Sequence, residues 1–160
     1  MIDKYVKLQT NIIKAFDKFR FTNKKSDFPY LLDEYCDNII IIIDTHYALS
    51  IPKIFWYLDN EKIFENRTTK IISRFIDDNK SNACVEYFKT NECIIRAKTK
   101  LVKFTTNSNM AIYLNEKYIK WFNFSRCTFK GRGGKKDPVL VFDDINNLEG
   151  IILPCVINKE

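Results

Sequence analysis

AIYLNEKYIKWF (Ala111–Phe122), SRCTFKGRGGKKDPVLVF (Ser125–Phe142) and GIILPCVI (Gly150–Ile157) read as a strand entering a helix, followed by two strands that close the chain. Met110 to Leu114 forms the entering strand after a turn at Asn107–Asn109. Asn115 is a good N-cap, and Glu116 falls in the first helical turn, where a carboxylate meets the positive end of the helix dipole. Tyr118, Ile119 and Phe122 recur as a buried stripe, which leaves Lys117, Lys120 and Trp121 toward solvent or a partner.

At the other end, the isoleucine run Ile39–Ile43 lies between Asp37-Asn38 and Asp44. β-Branched residues suit a pleat, and the run is too short for a helix, so it reads as a central strand covered on both faces. Tyr30–Tyr35 supplies the preceding strand, with Asp37–Asn38 as the turn, and His46–Ile51 the following one. Pro52 begins a loop whose Ile54, Phe55, Trp56, Tyr57 and Leu58 need cover. From Asp3, a candidate cap, to Arg20 the pattern is helical, gathering Leu8, Ile12, Ala15, Phe16 and Phe19 on one side. On the same projection Lys4, Lys7, Asn11, Lys14 and Lys18 fall within an arc of roughly 80°. Such a stripe is either an ordinary solvated face or a track for phosphates. No aromatics interleave with the lysines, so stacking on single strands is not indicated.

In the middle, Asn66 or Thr68 caps an expected helix through Asp77, with Ile71, Ile72, Phe75 and Ile76 on one face and Arg67, Lys70 and Arg74 on another. Asp77–Ala83 reads as a loop and a boundary between halves. Strands are expected at Cys84–Lys89, Cys93–Lys98 and Lys100–Thr105, the first two joined by a Thr90–Glu92 turn. The expected fold class is α+β: two helices packed on antiparallel sheet in a single domain of 160 residues.

Composition narrows the functional classes. Hydrophobic residues make up 46% and charged residues 29%, and no segment approaches the roughly 18 consecutive apolar residues of a membrane span. MIDKYVKLQ lacks a basic-then-apolar signal pattern, so the expected location is the cytoplasm, with no membrane partner. The cysteines (Cys36, Cys84, Cys93, Cys127, Cys155) include no CxxC pair and read as reduced, mostly buried thiols. A net charge of +6 favours an acidic partner. One histidine excludes His-rich zinc sites and HExxH. Asp44 and His46 are two apart on a strand, yet no serine or cysteine is placed to complete a triad. Asp143-Asp144 near Glu149, and Asp77-Asp78, sit in turn sequence where Asp serves turn chemistry. The expectation is therefore no catalytic residue, no metal and no cofactor. KGRGGKK (Lys130–Lys136) concentrates Lys130, Arg132, Lys135 and Lys136 but does not fit GxxxxGK[ST]; it reads as a mobile hairpin or a phosphate-contacting loop.

The order of helix, strand pair, strands, helix and two closing strands resembles a single domain of the bacterial DNA sliding clamp, the DNA polymerase III beta subunit. Asp44-Thr45-His46-Tyr47-Ala48-Leu49 is similar to the family's T-D-G-H-R-L turn. Asn115-Glu116-Lys117-Tyr118-Ile119 is similar to its N-x-K-Y-L helix start, and Asp137–Val141 with Ile151–Ile157 to its S-P-V-L and closing I-M-P-M-R-L strands. The resemblance implies a non-catalytic replication scaffold that holds duplex DNA weakly, without base readout, or docks a replication protein, and that can form homo-oligomers; a phage or mobile element is one expected source. Its DNA-contacting residues would be Lys4, Lys7, Lys14, Lys18, Lys117, Lys120, Lys130, Arg132, Lys135 and Lys136. A pocket for a replication-protein peptide would involve His46, Tyr47, Leu49, Pro154 and Cys155, which read more simply as strand ends packed into the core. Thr45 and Tyr47 replace the family's Gly and Arg, Cys155-Val156-Ile157 replaces M-R-L, and a clamp subunit repeats the domain that this chain holds once. A different class fits these departures: a small inhibitor or adaptor that imitates a clamp surface, binds a host protein and never touches DNA.

Overall fold

Residues 2–79, 85–123 and 125–157 are described by the structure, a computed structural model. The chain is an α+β protein whose described strands pair antiparallel, divided into two units, Met1–Asp77 and Asp78–Glu160.

In the first unit, helix α1 (Ile2–Thr22) precedes β1 (Tyr30–Tyr35), β2 (Asn38–Ile43) and β3 (Tyr47–Pro52). The isoleucine run forms β2, flanked on both sides, and none of Ile39–Ile43 is more than 8% exposed. Each such side chain removed from water stabilises the fold by about 1.5–3 kcal/mol. The β1–β2 turn is Cys36–Asp37, with Cys36 at φ 52; it falls one residue before the expected Asp37–Asn38 because Asn38 pairs with Tyr35. Pro52 stays in β3 opposite Asn38. Of the apolar residues after it, Leu58 is buried and Phe55 and Trp56 half-buried, but Ile54 and Tyr57 are exposed.

α1 lies over an aromatic cluster. Phe16 and Phe19 pack against Phe28, which is fully buried and also meets Tyr30 and Phe64 at 5.4 and 5.6 Å between ring centroids. The Arg67 guanidinium stands over the Phe19 and Phe28 rings and donates to the Phe28 carbonyl at 2.8 Å. Asp3 lies inside the first turn of α1 rather than preceding it.

After Pro52 comes a single-turn helix α2 (Asn60–Ile63), capped by Asp59, which the loop reading missed. Helix α3 (Ile71–Asn79) begins later than the Asn66 or Thr68 caps imply, reaches Asp77 as expected, and continues through Asp78 into the expected loop. The rest of the expected Asp77–Ala83 loop, together with Cys84, lies outside the described residues apart from Asn79, the last residue of α3. The later start has a tertiary cause. Arg67 O and Thr69 N bond Leu32 N and O on the outer edge of β1, holding 67–69 extended, and Thr69 Oγ1 then accepts from Ile71 N.

The second unit contains β4 (Val85–Arg96), β5 (Thr99–Thr105), β6 (Ala111–Asn115), helix α4 (Glu116–Ile119), β7 (Thr128–Gly131), β8 (Val139–Phe142) and β9 (Leu148–Ile152). The sheet order is β9-β8-β7-β4-β5-β6. Two expected strands are thus one, and the expected Thr90–Glu92 turn is a bulge in β4. The Thr90 hydroxyl donates to Lys103 O at 2.8 Å, replacing a ladder bond so that the strand continues. The actual turn is Ala97–Lys98, both at positive φ. α4 is one turn instead of reaching Phe122, because Phe122 N closes an i−3 bond and the Asn123 side chain takes Ser125 N. Among the described residues the α-helices are one long and three shorter ones beside antiparallel strands, so the expected α+β class holds. Phe104 and Phe122 each pack on Phe129 within the core of this unit.

Candidate functional site

The orientation of α1 decides which of its lysines face water, and Gln9 sets it. Gln9 is completely buried; its Nε2 donates to Phe55 O at 2.9 Å and its Oε1 accepts from Tyr57 N at 2.9 Å. These bonds, with Tyr5, Leu8 and Ile12 buried beside it, pin the helix about its own axis. Sequence reading missed Gln9, although a neutral amide inside an apolar arc is a readable signal.

Lys7, Asn11, Lys14 and Lys18 are exposed and Lys4 is partly so. They are not equivalent. Lys4 sits 5.2 Å from the Tyr5 ring centroid, and Lys18 reaches Asp27 at 3.4 Å. Thr22 Oγ1 also donates to Asp27, and this bond, ahead of the Lys18 charge, holds the carboxyl below its usual range. Lys7 and Lys14 have no carboxylate within ion-pair distance among the described residues, so the stripe's uncommitted charge concentrates there.

In the second unit Asn115 caps α4 as the sequence indicates, its Oδ1 accepting from Lys117 N at 2.9 Å. Lys117 is exposed. Lys120 instead pairs with Glu116 at 3.4 Å, and Lys100 meets the same carboxylate at 3.1 Å, holding its pKa down. Trp121 is half-buried rather than turned to solvent.

The basic loop is a β7–β8 hairpin built around one tyrosine. Tyr87, 3% exposed, accepts from Gly133 N at 2.9 Å with Gly133 at φ 96, and a Cβ on Gly131 would stand 2.9 Å from the Tyr87 ring. Burial pushes the Tyr87 hydroxyl up, outweighing the Gly133 N–H that pulls it down. Asp137 Oδ2 accepts from Gly134 N at 3.0 Å. Two amides that a phosphate loop would offer are thereby occupied. Lys130 is half-buried within β7, while Arg132, Lys135 and Lys136 are exposed.

The candidate peptide-pocket residues differ in exposure. His46 is exposed in the β2–β3 turn, its Nδ1 against Asp44 O; Tyr47 is half-buried; Leu49, at 1% exposed, belongs to the core instead of a surface. Pro154 and Cys155 are half-buried, and Cys155 N donates to Tyr113 O on the outer edge of β6 at 2.8 Å. Burial raises the Cys155 thiol pKa.

Asp143 Oδ1 accepts from Ile145 N and Asn147 N, which is turn chemistry. Among the described residues no group of three His, Cys, Asp or Glu side chains is arranged to hold a metal ion, and no helix is long and apolar enough to cross a membrane. A concavity of about 920 Å³ in the first unit is lined by Asp33, Glu34, Phe64, Lys70 and Arg74 among others, and Asp33 is already engaged by backbone amides there. Compared with known proteins, the chain matches no family model, no curated protein and no solved structure.

Proposed function

We propose that this chain is a non-catalytic accessory of DNA replication, similar to one sliding-clamp domain, that contacts duplex DNA through its phosphates. The observation that carries this reading is α1: 21 residues with Tyr5, Leu8, Gln9 and Ile12 buried and Lys7, Asn11 and Lys14 on the solvent side. Lys7 and Lys14 are seven residues apart, about 10 Å along the axis, so both fall within a Debye length of one phosphate backbone. Flexible ammonium groups on a rigid rod exchange phosphates freely and read no bases, as sliding requires. Lys117, Arg132, Lys135 and Lys136 supply further exposed cations.

The test is retention of two duplexes of unrelated sequence between about 50 and 200 mM salt. Equal affinity for both is expected, with log K falling linearly in log salt. Replacing Lys7 and Lys14 with Gln should reduce that slope by about 2, since each phosphate contact contributes roughly 0.9. No retention at low salt, or a slope indifferent to both substitutions, would discard the reading.

A second reading is favoured by different side chains. Phe21 and Ile54 are 94% and 85% exposed, with Val6, Ile13 and Tyr57 also exposed in the same unit. An adaptor that docks on a protein and ignores DNA would use these, and a chain indifferent to duplex at low salt favours it.

A further inference from the structure

The lysine row of α1 ends on a carboxylate of the same chain. Lys18 follows Lys14 by about 6 Å along the axis and shares its exposed face, but its Nζ stands 3.4 Å from Asp27 Oδ1. Most exposed pairs of this kind contribute little, because two side chains must be ordered to make one contact. Here the acid is already ordered. Just past α1, Asn23 has φ 55 and donates from its N to Phe19 O at 2.8 Å, which turns the chain back toward Lys18. Thr22 Oγ1 accepts from Lys24 N at 3.3 Å and donates to Asp27 Oδ2, and Asp27 N donates to Lys24 O at 3.0 Å. Phe28, completely buried against Phe16 and Phe19, anchors the next residue. The Asp27 side chain is accordingly only 15% exposed, while that of Lys18 is 68% exposed. One carboxylate oxygen is held by a fixed hydroxyl and the other faces a surface ammonium.

We propose, resting on the duplex-DNA reading above, that Asp27 is an internal counter-ion that withholds Lys18 from the phosphate backbone and so limits how tightly the α1 row holds DNA. The physical basis is competition. A phosphate that recruits Lys18 must displace a carboxylate that gives up little freedom in holding it, and must leave that carboxylate with the Thr22 hydroxyl alone. Lys7 and Lys14 face no such rival among the described residues, so they engage phosphates while Lys18 stays paired. A row with one lysine held back makes fewer phosphate contacts and releases the duplex more readily, as movement along it requires.

Salt titration of duplex retention by the full chain, between about 50 and 200 mM, tests this with paired variants. Asp27→Asn keeps an acceptor for Thr22 and should steepen the fall of log K with log salt by about 0.9, one further phosphate contact, with tighter binding at the low-salt end. Lys18→Gln should flatten the slope only in the Asp27→Asn background, where it removes the whole gain. Asp17→Asn makes the same charge change on the same helix, at an exposed carboxylate without an ion pair among the described residues, and should leave the slope unchanged. Circular dichroism and thermal unfolding of each variant confirm that the fold is retained. Retention whose slope ignores Asp27→Asn, a slope lowered by Lys18→Gln alone, or a gain equalled by Asp17→Asn overturns the role of Asp27 and leaves the DNA reading standing. No retention at low salt by either the wild type or Asp27→Asn discards both.

Discussion

Thr45 sits at φ 59 beside Asp44 at φ 53 in the β2–β3 turn. Both central positions are left-handed, as a mirror-image hairpin turn demands, and Asp tolerates this region far better than a β-branched residue. Thr45→Gly removes the Cβ penalty of about 1–2 kcal/mol and returns about 0.4–1 kcal/mol to the unfolded chain as entropy. The net is a gain on the order of 0.5–1 kcal/mol, so thermal unfolding should move up by about 2–4 °C at most. An unchanged or lower midpoint would show that the turn is unstrained. Gln9 makes a complementary point: its buried amide holds Phe55 and Tyr57 to α1, and no periodicity rule names such a partner 46 residues away.

Asp33 governs an element rather than a site. It is 3% exposed on β1, and its two oxygens accept from Glu34 N at 2.7 Å and Ser73 N at 2.8 Å, so a strand supplies the N-terminal carboxylate of α3. Asp33→Ala leaves those amides without acceptors and should destabilise the protein by about 1–3 kcal/mol in chemical unfolding, whereas Asp33→Asn, which keeps one carbonyl, should cost less. Equal costs would mean that packing, not the amides, is at stake. Elements whose cause is local were legible: the all-apolar β2, the amphipathic α1 and the Asn115 cap of α4. Elements decided at a distance were not. The extent of β4 depends on Thr90 reaching Lys103, and the start of α3 on Leu32 and Asp33.

Across the whole molecule, thiols offer a map of burial. Cys36 and Cys93 are exposed, one in each unit, and Cys127 and Cys155 are half-buried, so the expectation of mostly buried thiols fails for the described cysteines. A raised Cys155 pKa means less thiolate at a given pH. Alkylation near pH 8 at low micromolar protein should modify Cys36 and Cys93 first and Cys155 about tenfold or more slowly, read by peptide mass. Equal rates at Cys93 and Cys155 would contradict the burial described. The candidate cations show the same division. Their number and the helical stripe were readable from residue spacing alone, because the helical period is intrinsic to the backbone. Which of them keep their charge uncommitted was not: Asp27 engages Lys18, and Glu116 engages Lys120 while holding Lys100. By itself the sequence determined the α+β class, the buried isoleucine strand and the lysine face, since each rests on neighbours along the chain. The tertiary structure decided the rotation of α1, the continuity of β4 and the accessible cations. Those depend on hydrogen bonds and ion pairs whose partners only folding brings together.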